Sequence, residues 1–226
     1  MRNWPGLIRV VIRINIFVSY IRYNLAVNTK TGKNMKIINI FLTMLVLTIS
    51  GCALSPQIIV INPELFVEIS SVATRPAVLR LDGVDGRSSE FIGKRGGIYE
   101  GTSDISTDAN MKASLERNLA SALNSQGYTV ARKNETSDAA LTVRINKIEY
   151  TINKAKVLYT VETKVEIQAV CRKGSREFTG GYSAIRKKDF VKVPSMGQNE
   201  TIVNEALGVA LQAMLNDKDL YSFIDG

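Results

Sequence analysis

Residues 157–171 read VLYTVETKVEIQAVC, and this stretch decides the fold. Its apolar residues occupy alternate positions from Val157 to Cys171, with threonine, glutamate, lysine and glutamine between most of them. Because successive side chains of a strand point to opposite faces, the pattern predicts a strand with one buried and one solvated face. The parity places Cys171 on the core face, which favours a buried structural thiol over a reactive one.

The residues on either side extend this strand into an antiparallel sheet. Arg172–Arg176, which contains Gly174, predicts a hairpin turn, and Glu177–Phe190 predicts the return strand. Upstream, Leu141–Ile152 predicts a further strand, but its apolar residues change parity midway. A bulge near residues 146–147 would return both halves to one face.

A first helix is predicted over Thr107–Gln126, where apolar residues recur at helical spacing. Thr107 or Asp108 can cap its start, and Gly127 fits a left-handed stop. Tyr128–Val130 then adds a short strand.

A second helix is predicted near the C-terminus, with Asn199 as its cap. Its buried stripe is expected to consist of Val203, Leu207, Ala210 and Met214. Asp217–Ile224 adds a short terminal turn.

Before the first helix, Ile58–Ile61 and Val78–Val84 predict two strands, and the glycine-rich Asp85–Ser106 predicts a long loop. Long loops in compact domains are often functional. The predicted order is therefore β-β-α-β-β-β-α. We expect an α+β domain with a mixed or antiparallel sheet and both helices packed on one face.

The N-terminal residues predict an export leader. Met35 and Lys36 precede a run without charge from Ile37 to Ile49, which is long enough for a signal peptide and too short to span a bilayer. The run ends in Ile-Ser-Gly-Cys at residues 49–52, which matches the lipobox of bacterial lipoproteins. Cleavage between Gly51 and Cys52 would leave Cys52 to carry a diacylglyceryl and an N-acyl lipid. The alternative is a short buried helix that ends in the same residues.

These observations divide the chain into four parts. Residues 35–51 form the signal peptide, residues 52–57 the lipidated cysteine and a short tether, and residues 58–226 a single periplasmic domain. Residues 1–34 are either a start-site artefact or, over Leu7–Val27, an amphipathic surface helix. Ala53, rather than aspartate, follows Cys52, and the sorting rule of enteric bacteria then predicts the outer membrane.

Composition excludes several classes of function. The net charge is +8, but residues 1–51 hold seven of the 29 basic residues and none of the 21 acidic ones. The remaining chain is nearly neutral, so we expect no nucleic-acid partner. The absence of histidine excludes histidine-based catalysis and histidine metal sites, and no other catalytic constellation stands out. We therefore expect neither an enzyme nor a metal site, and no cofactor beyond the acyl chains.

A group of charged residues in the glycine-rich segment is the candidate site, namely Asp85, Arg87, Lys94 and Arg95, with Asp82 nearby. The arginines could bind a phosphate or carboxylate beside glycine backbone amides. Alternatively, Asp85 and Arg87 pair to hold the loop in place, and the glycines serve turns. Elsewhere, residues 186–188 form a basic cluster at a strand end, which is either solvated or close to anionic lipid.

Three stretches together with the lipobox resemble the YajG-like bacterial lipoproteins. They are DGVDGR at residues 82–87, IGKRGG at residues 92–97 and QGYTV at residues 126–130. The resemblance implies an envelope lipoprotein and carries over no catalytic residue. We expect a membrane attached through the acyl chains and an envelope protein or glycan as partner; a lipoprotein that binds a small anion, such as a muropeptide or a phosphate-bearing ligand, is the alternative.

Overall fold

The computed structural model describes residues 55–66, 77–96, 103–132, 135–155 and 157–226. Residues 54–226 form one compact unit. The predicted leader, the cleavage site at Gly51 and Cys52, and the start of the tether lie outside the described residues. The elements are β1 (Gln57–Ile59), β2 (Val78–Asp85), β3 (Phe91–Lys94), β4 (Asp104–Thr107), α1 (Met111–Ser125), β5 (Thr129–Val130), β6 (Ala139–Lys154), β7 (Tyr159–Lys173), β8 (Arg176–Phe190), α2 (Met196–Leu215) and α3 (Lys218–Asp225).

The described strands form one mixed sheet around the 16-residue strand β6. One edge of β6 pairs with β7 in antiparallel fashion from Ala140 to Lys154, and β7 pairs with β8 in the same way. The other edge pairs in parallel first with β2 and then with β3. Beyond β3 lie β4 and then β1, and β5 flanks β2. β6 is therefore the strand on which every other part of the sheet is positioned.

The predicted bulge in β6 is confirmed by a register shift between Ile145 and Lys147. Ile145 and Ile148 are both buried, which an uninterrupted strand of period two would not allow. The shift also lies between the part of β6 that pairs with β2 and the part that pairs with β3.

The α+β class is confirmed, and α1 and α2 pack on the same face of the sheet. Gly83 of β2 lies so close to α1 that a Cβ there would be 3.4 Å from Leu115 Cδ2. Tyr150, on the same face of β6, donates a hydrogen bond of 2.8 Å to Asn199 of α2. The predicted terminal turn is a third helix, α3, which Asp217 caps by accepting from the backbone N–H groups of residues 219 and 220.

The predicted order of elements was wrong in the glycine-rich segment. Part of that expected loop is a hairpin of β3 and β4, two strands of four residues each. Gly93 is required in β3, because a Cβ there would lie 2.0 Å from the carbonyl oxygen of Tyr150. Strands this short, with glycine in a pairing position, lack the alternation by which longer strands are recognised.

The predicted caps of both long helices were also wrong. α1 begins at Met111 after Asn110, whose side chain makes no capping bond, whereas Thr107 ends β4. α2 begins after Ser195, which forms a capping box with Gln198. The predicted stop at Gly127 is consistent with its φ of 94°.

Asn199 lies in the first turns of α2 and is fully buried instead of capping the helix. Its Oδ1 accepts from the Tyr150 hydroxyl, and its Nδ2 donates to Gln57 Oε1 at 2.7 Å. This buried chain joins the central strand β6, helix α2 and the first strand β1. Burial raises the pKa of Tyr150, so its hydroxyl remains a donor at any physiological pH.

Within β7 the core face is as the alternation predicts, with Val161, Val165, Ile167, Ala169 and Cys171 all buried. Val157, at the start of the predicted strand, instead precedes β7 and is exposed. Thr163 shares that face and is also buried, although it is polar. Cys171 has no exposed surface, and burial raises the pKa of its thiol to about 11. The predicted structural role of this thiol is consistent with both observations.

We expect Cys171 to resist thiol reagents until the protein unfolds. In a Cys52→Ala chain, where Cys171 is the sole thiol, an aromatic disulfide reagent should not react without denaturant, even as the pH rises from about 7 to about 9, because the thiol stays protonated and covered. Adding Ser175→Cys at the exposed hairpin should restore rapid reaction. Rapid reaction of Cys171 in the native protein would contradict its placement in the core.

Candidate functional site

Asp85 and Arg87 of the predicted site form a bidentate ion pair. Arg87 Nε lies 2.8 Å from Asp85 Oδ1, and Nη2 lies 2.9 Å from Oδ2. Nη2 also donates to Thr107 Oγ1 at 2.7 Å, and the Arg87 side chain is only 6% exposed. The pair therefore ties the end of β2 to the end of β4.

The ion pair determines the charge state of Asp85. Partial burial acts to raise the pKa of this carboxyl, but hydrogen bonds from the side chain and backbone of Arg87, together with its charge, outweigh burial. The pKa lies below its ordinary value as a result. A carboxylate neutralised in this way leaves the adjacent guanidinium little net attraction for an external anion.

Arg95 and Lys94 lie elsewhere in the sheet. Arg95 is 8% exposed, and its Nη2 donates to the carbonyl of Ser55 at 2.7 Å, which fastens the start of the described chain to the end of β3. Lys94 is exposed. Asp85 is level with Ile145 of β6, whereas Gly93 is level with Tyr150. Each arginine lies two residues further on, so about five residues, or roughly 16 Å, separate the two arginines along the sheet. The four residues do not converge, and the structural interpretation of Asp85 and Arg87 is the one that the contacts favour.

A more extensive surface, which sequence reasoning missed, surrounds residues 60–66. This extended segment lies along α2, and three of its backbone N–H groups donate to side chains of that helix. The bonds join Val60 to Glu200 (3.0 Å), Asn62 to Asn204 (2.8 Å) and Phe66 to Gln212 (3.2 Å). Two residues of an extended chain and four residues of a helix both span about 6 Å, so every second residue of the segment meets every fourth residue of α2.

Three helix side chains accept hydrogen bonds from residues 60, 62 and 66, and Gly208 lies at the intervening position of α2, opposite Glu64, where the helix has no side chain to accept one. A Cβ on Gly208 would lie 3.0 Å from the carbonyl oxygen of Glu64, so glycine lets the segment approach the helix backbone. On the other side, Asn118 of α1 donates to Asn62 Oδ1 at 3.1 Å and to the carbonyl of Pro63 at 3.0 Å. The segment is thus held between the two helices.

A groove of about 550 Å³ runs along the outer side of α2, between the 60–66 segment and Arg186 of β8. Phe66 stands at its wall with 74% of its surface exposed, and Val209 is 36% exposed on its floor. Glu200 and Glu205 line the same groove. We define this surface as the α2 groove. Its sequence signal is the series Glu200, Asn204, Gly208 and Gln212 at intervals of four, beside the apolar stripe of the helix.

Replacing Gly208 should displace the segment. We expect Gly208→Val to lower the free energy of unfolding by about 1–3 kcal/mol, since the new side chain would overlap the Glu64 carbonyl. Gly197→Val, in the same helix but with open space around it, should change it by less than about 0.5 kcal/mol. Urea denaturation of both variants measures the difference. Equal stability of the two would mean that the segment does not contact Gly208.

Comparisons with known proteins agree with this architecture. Protein XCC0632 from Xanthomonas campestris has a similar fold, with a TM-score of 0.53 and 14% identity over 74% of this chain and 97% of that one. Lipoprotein GNA1162 from Neisseria meningitidis gives 13% identity over 63% of this chain and all of the other, at a TM-score of 0.36, below the level of a shared fold. No curated protein sequence matches the chain.

The family is identified by the sequence itself. A sequence profile described as uncharacterized lipoprotein matches residues 67–225, which is most of the folded unit and includes the stretches that resemble YajG-like proteins. Within the described residues, no helix is both long enough and apolar enough to cross a membrane. The chain therefore belongs to this family of bacterial lipoproteins.

Proposed function

We propose that the protein is a non-catalytic accessory lipoprotein of the cell envelope, attached by acyl chains on Cys52 to the outer membrane, with its domain in the periplasm. The lipobox and the lipoprotein family support the anchor. Only two residues, Ala53 and Leu54, lie between Cys52 and Ser55, which Arg95 fastens to the sheet, so the domain stays close to its membrane.

The α2 groove is the observation that supports a partner-binding role. Its wall carries Phe66, an exposed aromatic side chain of the kind that dominates the energy of protein interfaces. The backbone beneath is already held by Glu200, Asn204 and Gln212, so the wall is ordered before any partner binds. Three glutamates, at positions 64, 200 and 205, line the groove against one arginine, Arg186, so the groove carries net negative charge. The partner segment is accordingly one that places an apolar residue against Phe66 and Val209 and a cation near Glu205.

The ionisable groups with strongly raised pKa values have structural surroundings. Among the described residues these are Cys171 and four tyrosines, all at least partly buried. Tyr182 donates to Asp217, the cap of α3, and Tyr128 donates to Asp225 of that helix. These two tyrosines therefore hold the C-terminal helix in place, and their raised pKa values follow from that structural role.

The anchor is tested by fractionation and intact mass. We expect the wild-type protein in the outer-membrane fraction, with the mass of a chain that begins at a triacylated Cys52. Cys52→Ala should abolish both, whereas Cys171→Ala, which removes the other cysteine, should preserve both. A Cys52→Ala protein that remains membrane-bound at full length would show that the leader itself is the anchor.

The partner role is tested by photocrosslinking in cells. A benzophenone side chain at Val209 or Thr201, both in the α2 groove, should give one discrete adduct, and the same group at Ser183 on the opposite face of the sheet should not. Phe66→Ala should reduce the yield about tenfold, since burial of a phenylalanine contributes about 1.5–3 kcal/mol. Equal adducts from Ser183, or none from either groove position, would contradict the assignment.

A further inference from the structure

One end of the sheet brings together the start of the described chain and the ends of the three longest strands. Gln57 pairs with Ile105, and Arg95 N–H donates to Ser103, so Ser55 is level with Arg95. Gly93 pairs with Tyr150, which places this level two residues further along β6, at Ile152. Ser55 therefore lies about 7 Å from the level of Lys154, where β6 ends.

The same end exposes apolar side chains. Lys154 pairs with Tyr159, and Tyr159 with Phe190, so the turn after β6 and the residue after β8 project side by side beyond the sheet. Val157 is 74% exposed and Val191 is 79% exposed. Among the described residues, Val191 is the most exposed large apolar residue, and Val157 equals Phe66. Val157 and Val191 therefore form a small exposed apolar patch at this end of the sheet, not a groove.

Basic residues surround these valines. The strand ends and the turns beside them carry Lys154, Lys187, Lys188 and Lys192, against the acidic Glu162 and Asp189, whereas Arg186 of the predicted basic cluster lies further inside β8 and lines the α2 groove. Lys187 pairs with Glu162 at 2.8 Å, and Asp189 accepts from the Thr160 hydroxyl at 2.6 Å. Within the part of the chain that the structure describes, no carboxylate pairs with Lys188 or Lys192. Uncompensated positive charge around exposed apolar side chains matches an anionic lipid surface.

The tether length decides which way this end faces. Cys52 precedes Ser55 by three residues, which span at most about 11 Å when extended. Arg95 holds the Ser55 carbonyl, so the tether leaves the domain from this end. If Cys52 is acylated, the lipid surface lies within that reach of Ser55, at the same end of the sheet as Lys154, Val157, Leu158 and residues 188–192.

We propose that these residues, which we call the basic tip, dock the domain directly on the headgroups of anionic phospholipids, with Val157 and Val191 entering the interface. The proposal rests on the acylation of Cys52 described above. Docking gives the domain a second attachment and a defined orientation, since one end of β7 meets the membrane and the other end points away.

Site-specific labelling tests this docking in the acylated protein, where Cys52 is blocked and Cys171 is buried. An environment-sensitive dye on Val157→Cys or Val191→Cys should shift to the blue in vesicles that contain phosphatidylglycerol. The dye on Ser175→Cys, about 45 Å away at the opposite hairpin, should not shift. Lys188→Glu with Lys192→Glu should reduce the docked fraction about tenfold, and the same dye in phosphatidylcholine vesicles should respond weakly.

The outcomes separate the docking from the anchor. Protein that floats with the vesicles and has the acylated mass, yet shows no shift at Val157 or Val191, would overturn the docking and leave the anchor intact. An equal shift in phosphatidylcholine, or one unaffected by the lysine replacements, would overturn the role of anionic lipid. Protein that does not float and lacks acyl mass would overturn the anchor, and the docking on which it rests with it.

Discussion

The architecture depends on the buried hydrogen-bond chain Tyr150–Asn199–Gln57. An amide buried without a partner costs several kcal/mol, about 2–7, so this chain allows few alternative positions for its three elements. It determines where α2 lies on the central strand β6 and where β1 meets both. The position of β1 then sets the course of the segment that follows it between the helices, and also the point at which the tether leaves the domain.

The two proposed surfaces follow from that arrangement. The α2 groove exists because the backbone of residues 60–66 is held by helix side chains spaced four apart, and Gly208 admits the Glu64 carbonyl. The basic tip exists because β6 and β8 end where β7 begins, at the same end of the sheet as the place where Arg95 holds Ser55. Neither surface involves the Asp85–Arg87 pair, whose charges satisfy each other within the fold. A glycine-rich, charged segment can thus have a structural role, although its composition suggests a ligand site.

The long strands could be predicted from sequence because each carries enough alternating residues to define a buried face. The change of parity within β6 also located its bulge. The β3–β4 hairpin could not, since four-residue strands with Gly93 in a pairing position give no period. Asn199 was misread because asparagine favours helix starts locally, whereas here a tertiary partner, Tyr150, determines its place. The groove escaped prediction for the same reason: Glu200, Asn204 and Gln212 look like a solvated helix face until residues 60–66, distant in sequence, lie across them.

The direction of α2 connects the two surfaces. The helix begins at Met196, soon after β8 ends at the basic tip, and its 20 residues extend about 30 Å. Docking at the tip would therefore point α2 away from the lipid, and the α2 groove would run from near the headgroups outward. A partner segment lying in the groove would then stand roughly upright on the membrane.

The anchor and the tip together would leave the domain little rotational freedom, and so present Phe66 in one orientation. This reduces the entropy lost on binding in the same way that an ordered groove wall does. Under both proposals, lipid attachment would set the orientation in which the α2 groove meets its partner, since hydrogen bonds join β6, α2 and β1.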